Sequence, residues 1–257
     1  MIITLTTDFG LSDPFVGIMK GVILSIAPEA QVVDICHEVR SYDIIEGAFL
    51  IDSTFKYFPE GTIHVVVVDP GVGSVRRPIA AQAHGHVFVA PDNGVLSAVY
   101  EPASQVHHIT NRSLFLDSVS QTFHGRDIFS PVAAHMSKGI PIDSAGPRIL
   151  DFLKKPLPKP RPKGDRLVGT VLRIDKFGNI ITNLRLRDLA AEFTIHVAGL
   201  PITRLYSSFS DAEPGEFFAI EGSAGFIELA LDQGSAADKL NVGRGTEIEV
   251  ESGLLNH

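Results

Sequence analysis

The sequence predicts an N-terminal α/β layered domain with a mostly parallel central sheet, followed by a C-terminal all-β, barrel-like domain. Three observations carry this. Strand-like and helix-like segments alternate over residues 1–150, the pattern of a layered α/β fold with right-handed parallel crossovers. A charged, proline-rich stretch, KKPLPKPRPKGD, then interrupts the pattern. Beyond it the apolar runs become short and turn-separated, as in a barrel or sandwich. The expected division is an α/β domain over residues 1–153, a linker over 154–166 and a β domain over 167–257.

Residues 2–6 read as the first strand. Phe15, Ile18, Val22 and Ile26 recur at helical spacing, and Pro28 ends that run. Residues 31–35 form the second predicted strand, and Ile44, Ala48, Ile51 and Phe55 mark the second helix. Residues 64–68 are an uninterrupted, largely β-branched run, as expected of a central strand covered on both faces. Residues 79–83 and 87–90 flank a turn at Gly85. Short helices are expected over 93–100 and 128–138. After the linker, strands are expected at 167–174, 180–183, 193–197, 202–205, 216–220, 226–231 and 247–250.

The 257 residues carry a net charge of −8, which argues against a nucleic-acid partner. Basic residues cluster only in the linker, among four prolines. An acidic chain can still attract a cationic small molecule. The single cysteine, Cys36, rules out an internal disulfide and a zinc set, and at the end of an apolar run it reads as a buried thiol. The N-terminus lacks the pattern of a signal peptide, and no apolar run approaches the ~18 residues of a membrane span. The expected location is the cytoplasm, with no membrane partner.

Four segments place polar residues at strand ends or turns, where α/β folds bind ligands: 6–13, 68–77, 122–127 and 174–183. Asp8 follows the first strand, and its carboxylate suits the two hydroxyls of a ribose. Asp13 is divided between ligand binding and helix capping, with Ser12 beside it. Asp69 opens a glycine-rich turn and is either a ligand-facing carboxylate or a turn residue bonded to its own backbone. Arg76 or Arg77 can fold back over that turn, and pattern alone does not separate them. His124 is a structural or a catalytic histidine. His84, His86, His107 and His108 lack the spacing of a metal site, so no metal is expected. Tyr42, Phe123, Phe177 and Phe209 are core residues by default, with one or two available to stack on a purine. Neither a P-loop nor a G-x-G-x-x-G motif is present.

Taken together and in order, TTDFG, CHEV at 36–39, FPEGTIHVVVVDPGVGS, APDNG at 90–94, FHGRD and FGNxxTN resemble the S-adenosyl-L-methionine hydroxide adenosyltransferase family, relatives of the fluorinase and chlorinase. The resemblance runs over nearly the whole chain. It implies an α/β domain followed by a β-barrel domain, and a homotrimer with active sites at subunit interfaces. Asp8 matches the family's ribose-diol carboxylate, and Asp13 and Asp175 match polar positions near the methionine end. Phe177 and Asn179 match the adenine side, Tyr42 an aromatic cover, and Ser223 a segment associated with the methionine carboxylate. Asp69, Arg76 and His124 match the set that positions and activates water in the hydrolases.

The halogenating branch carries Tyr at the position of Asp69, and the fluorinase has Ser at that of Gly125. A carboxylate at 69 disfavours halide and favours water. The expected activity is therefore hydrolysis of S-adenosyl-L-methionine to adenosine and methionine, with no metal or redox cofactor. The alternatives are a chlorinase-like adenosyl transferase and a nucleoside-binding protein without turnover.

Overall fold

The computed structural model describes residues 1–252; residues 253–257, the end of the expected β domain, lie outside the described residues. The chain divides into two compact units that meet in sequence at Leu157 and Pro158. In the first, β1 (Ile2–Thr7), α1 (Phe15–Ile26), β2 (Gln31–Cys36), α2 (Ile44–Thr54), β3 (Ile63–Val67), β4 (Pro78–Ala83), β5 (His86–Pro91), β6 (Gln105–His108), α3 (Ser130–Ser137) and β7 (Arg148–Ile149) follow in chain order. The sheet runs β2-β1-β3-β5-β4-β6-β7. Its β2-β1-β3-β5 half is parallel, and β4, β6 and β7 extend it antiparallel.

Strand β3 is buried along its whole length, which its apolar, β-branched run anticipates. Thr7 lies opposite Val67, so β1 and β3 end side by side. Asp8 and Asp69 therefore leave neighbouring parallel strands at the same edge. The β4–β5 turn uses His84 at φ 50° and Gly85 at φ 77°, the paired positive angles of a two-residue hairpin.

Several local expectations change. Helix α1 forms where its periodicity places it, but it buries Val16, Met19 and Ile23 and leaves Phe15 and Ile18 exposed. The apolar residues surround the helix, so period alone does not choose the core face. Cys36 is half-buried rather than buried. Residues 93–100 form turns instead of a helix. Asn93 Oδ1 accepts from the Val95 N–H at 3.1 Å, Gly94 takes φ 100°, and later bonds such as Ser97 N–H to Gly94 C=O span three residues. Strands β6 and β7 escape a pattern search because they are short and rich in His and Arg. The predicted helix over 128–138 is α3 preceded by a π-helical turn, Gly125–Phe129.

The second unit contains β8 (Arg161–Lys163), β9 (Arg166–Ile174), β10 (Ile180–Thr182), β11 (Phe193–Val197), β12 (Leu200–Ile202), β13 (Leu205–Tyr206), β14 (Phe217–Glu221), β15 (Ile227–Leu231), α4 (Ala236–Leu240) and β16 (Glu247–Ser252). They form one curled sheet ordered β12-β11-β16-β9-β10-β15-β14-β13, with β8 also paired to β9. Inward residues such as Val171, Ile180, Ile195, Leu229 and Ile248 make its core. The expected linker is partly sheet: β8 pairs with β9, and Arg161 and Lys163 bond Glu247 and Glu249. The single strand expected at 202–205 is two strands, β12 and β13, at opposite ends of the sheet.

Candidate active site

At the end of β1, Thr7 Oγ1 lies 2.9 Å from His37 Nδ1, and the Gly10 N–H donates to the His37 carbonyl at 2.8 Å. His37 Nε2 in turn meets Asp34 Oδ1 at 2.9 Å. The CHEV segment thus braces the loop that carries Asp8. From there Asp8 Oδ2 accepts the Tyr42 N–H at 2.8 Å. Tyr42 reaches this position with φ 68°, and its ring stands 73% exposed. Burial raises the Asp8 carboxyl above its usual range; the Tyr42 hydrogen bond opposes this, and the nearby Asp69 charge adds to the rise.

The loop after β3 folds back so that Arg76 meets Asp69. Arg76 Nε donates to Asp69 Oδ1 at 3.0 Å, and Nη2 donates to Oδ2. Nη2 also reaches His124 Nδ1 at 2.6 Å. Both side chains are covered, Asp69 being 5% and Arg76 9% exposed. Arg76 Nη1 is buried and has no hydrogen-bond partner among the described residues. Gly73 makes the close seat of this loop: at φ 75°, a Cβ there would lie 2.3 Å from the Gln121 carbonyl oxygen. The choice between the adjacent arginines is thereby made. Arg77 turns away, to Asp92 at 2.8 Å and Asp151 at 2.8 Å.

His124 immediately precedes the π-helical turn, a local irregularity common at functional sites. Because Arg76 can only donate, His124 Nδ1 is the acceptor and the neutral ring carries its proton on Nε2. Burial, then the Arg76 charge, hold its pKa below the usual histidine value. Gly125 packs tightly, since a Cβ would meet Met19 Sδ and the Phe123 ring at 3.2 Å. Phe123 itself packs in the core, edge-on to Phe9 and Phe15. Asp13 is exposed ahead of α1, which has no side-chain cap, so neither Ser12 nor Asp13 caps it. No group of three or more His, Cys, Asp or Glu suited to a metal occurs among the described residues. The interior histidines bond within the sheet instead: His64 Nδ1 lies 2.7 Å from Thr4 Oγ1, and His64 Nε2 lies 3.3 Å from His86 Nδ1.

In the second unit, Asp175 shapes its own turn. Its Oδ1 accepts the N–H groups of Phe177 and Asn179, each at 2.8 Å, and Oδ2 accepts Asn179 Nδ2 at 2.9 Å. With three donors already on it, this carboxylate is largely occupied by the loop. The turn leaves Phe177 76% exposed. Phe177, Asn179 and Phe209 line a cavity of about 590 Å³ with Leu231, Asp232, Gln233, Gly234 and Ser235. The last five were not singled out from the sequence, although LDQGS carries a turn signal. Ser223 is exposed in the turn between β14 and β15 and is not among that cavity's lining.

Two family models match the chain: the SAM hydroxide adenosyltransferase N-terminal domain over residues 3–146 and the C-terminal domain over 169–249. The chain is 37% identical to a protein of Salinispora tropica named (R)-S-adenosyl-L-methionine hydrolase, over 98% of each chain. It is 32% identical to one of the same name from Thermus thermophilus, over 95% of this chain and 97% of that one. A fluorinase of Nocardia brasiliensis matches at 28% identity over 98% of this chain and 97% of its own. Among solved structures, an uncharacterized conserved protein of Thermotoga maritima superposes with a TM-score of 0.87 at 36% identity, covering 98% of this chain and all of the other. With both halves of the chain matched in order, and full-length relatives above 30% identity, the chain belongs to the SAM hydroxide adenosyltransferase family.

Proposed function

We propose that this protein hydrolyses S-adenosyl-L-methionine to adenosine and L-methionine, with water attacking the ribose 5′ carbon. The observation that carries this is the half-buried Asp69–Arg76–His124 cluster beside Asp8. The names of its full-length relatives support the same reading. Asp8 binds the ribose hydroxyls. Asp69 orients the water and receives its proton, while the positive charge of the Arg76 guanidinium stabilises the hydroxide character that develops on the oxygen. The new C–O bond forms as the C–S bond breaks, and its electron pair passes to sulfur, which leaves as a neutral thioether. A sulfonium needs no acid to leave, so the reaction calls for in-line positioning rather than a metal or redox cofactor. Phe177 and Phe209 offer aromatic faces for the purine. A cytoplasmic location and a homotrimer complete the proposal. Exposed Leu11, Phe15 and Ile18 supply apolar surface for association, and sedimentation of the intact protein tests the trimer.

The test is turnover in heavy-oxygen water, with the products read by mass spectrometry. The label is expected in the 5′ hydroxyl of adenosine and not in methionine. Unlabelled adenosine, methylthioadenosine as the main product, or efficient formation of chlorodeoxyadenosine in chloride would each overturn the mechanism.

A further inference from the structure

Residues 69–76 form a loop whose two ends belong to strands that are not neighbours. Val68 follows β3 and Arg77 precedes β4, with β5 between those strands in the sheet. No direct ladder between β3 and β4 can therefore set the width of the loop's neck. The residues that follow β5 do so instead. Asn93 Nδ2 donates to the Val68 carbonyl at 2.8 Å. Its Oδ1 accepts the Val95 N–H at 3.1 Å, so both ends of the amide are used and its orientation is set. The Asp92 N–H donates to the Arg77 carbonyl at 2.8 Å. The Asp92 carboxylate accepts Arg77 Nε at 3.0 Å and Nη2 at 2.8 Å, and also the Leu153 N–H at 2.8 Å. Two consecutive residues of the APDNG motif thus hold the residue before Asp69 and the residue after Arg76.

We propose that Asn93, with Asp92 beside it, is a positioning residue for the reaction: it sets where the Asp69 carboxylate stands against the Arg76 guanidinium. This rests on the reading of Asp69 as the group that acts on water. In the structure Asn93 bonds the backbone at Val68 rather than the Asp69–Arg76 pair itself. Its effect passes through the main chain to Asp69, one residue on. In-line attack is steep in geometry, and a shift of about 1 Å can cost about a hundredfold in rate.

Asn93→Asp tests this with little change of shape. It keeps an oxygen for the Val95 N–H and sets an oxygen against the Val68 carbonyl in place of a donor. The expected result is a fall in kcat of about 10- to 100-fold with KM changed less than about threefold. Placed on Asp69→Asn, the same change is expected to add less than about threefold, because a group that acts through Asp69 has nothing left to position. Wild-type kcat in Asn93→Asp overturns the proposal, and so does an undiminished effect in the double variant. Full turnover in Asp69→Asn alone overturns the underlying reading and this one with it, a distinct outcome. Should Asn93→Asp fail to fold, Arg77→Lys probes the other side of the neck by removing the two-point grip of Asp92. A several-fold loss of kcat at constant KM is expected there; unchanged kcat refutes the proposal.

Discussion

One guanidinium serves two partners: Arg76 Nε lies 3.0 Å from Asp69 Oδ1, while its Nη2 lies 2.6 Å from His124 Nδ1. The arrangement requires His124 to be unprotonated at Nδ1, and burial with the Arg76 charge keep its pKa below 6.5. Protonation would set two donors against each other and break the cluster. The acid limb of activity should therefore be centred below pH 6.5, the ordinary histidine value. A kcat profile from pH 4.5 to 9 checks this; an acid limb centred at or above pH 6.5 counts against it.

Asp8 and Asp69 leave adjacent strands yet should fail differently. Asp69→Asn should lower kcat by orders of magnitude while substrate affinity stays within about tenfold, roughly 1.4 kcal/mol. Asp8→Ala should weaken binding first, by about 10- to 100-fold, because it loses charge-assisted bonds to the ribose. Calorimetry set beside kinetics separates the two. Identical behaviour of both variants would disprove the division of roles.

Phe177 and Asp175 share a turn but not a task. Phe177→Ala removes an exposed ring and should weaken substrate binding by about 1 kcal/mol, with no loss of melting temperature. Asp175→Ala strips the acceptor from three donors in the turn and should lower both the melting temperature and the affinity. Differential scanning calorimetry with a binding titration distinguishes them. Unchanged stability in Asp175→Ala would show that the turn holds without it.

His64 is buried between β1 and β5, and burial lowers its pKa to about 3, with a smaller push from His86. The unfolded chain takes up this proton near pH 6.5, whereas the folded chain resists it until about pH 3. Stability from this group is full above pH 6.5 and declines as the pH falls from there towards 3. At about 1.4 kcal/mol per pH unit the loss can reach about 5 kcal/mol. Urea melts between pH 7 and 4 should show the decline, and His64→Gln should flatten it. An equal slope in that variant would assign the acid sensitivity elsewhere.

Much of this site can be read along the chain. An apolar β-branched run ending in Asp-Pro-Gly places a carboxylate at the mouth of a buried strand, and a polar residue after a short first strand does the same. The order of the motifs marks the family. These signals are local, because burial on both faces of a strand and the φ demands of glycine act within a few residues. Other features depend on residues distant in sequence. Arg76 rather than Arg77 faces Asp69, because Asp92 and Asp151 hold Arg77 on the other side. Helix α1 turns Val16, Met19 and Ile23 inward because α3 and the sheet cover that face. Asp175 folds back on its own turn, and Phe123 stays in the core. Period and composition record what each segment can bury or bond; which of several suitable partners it takes is set when strands far apart in the chain come to lie side by side.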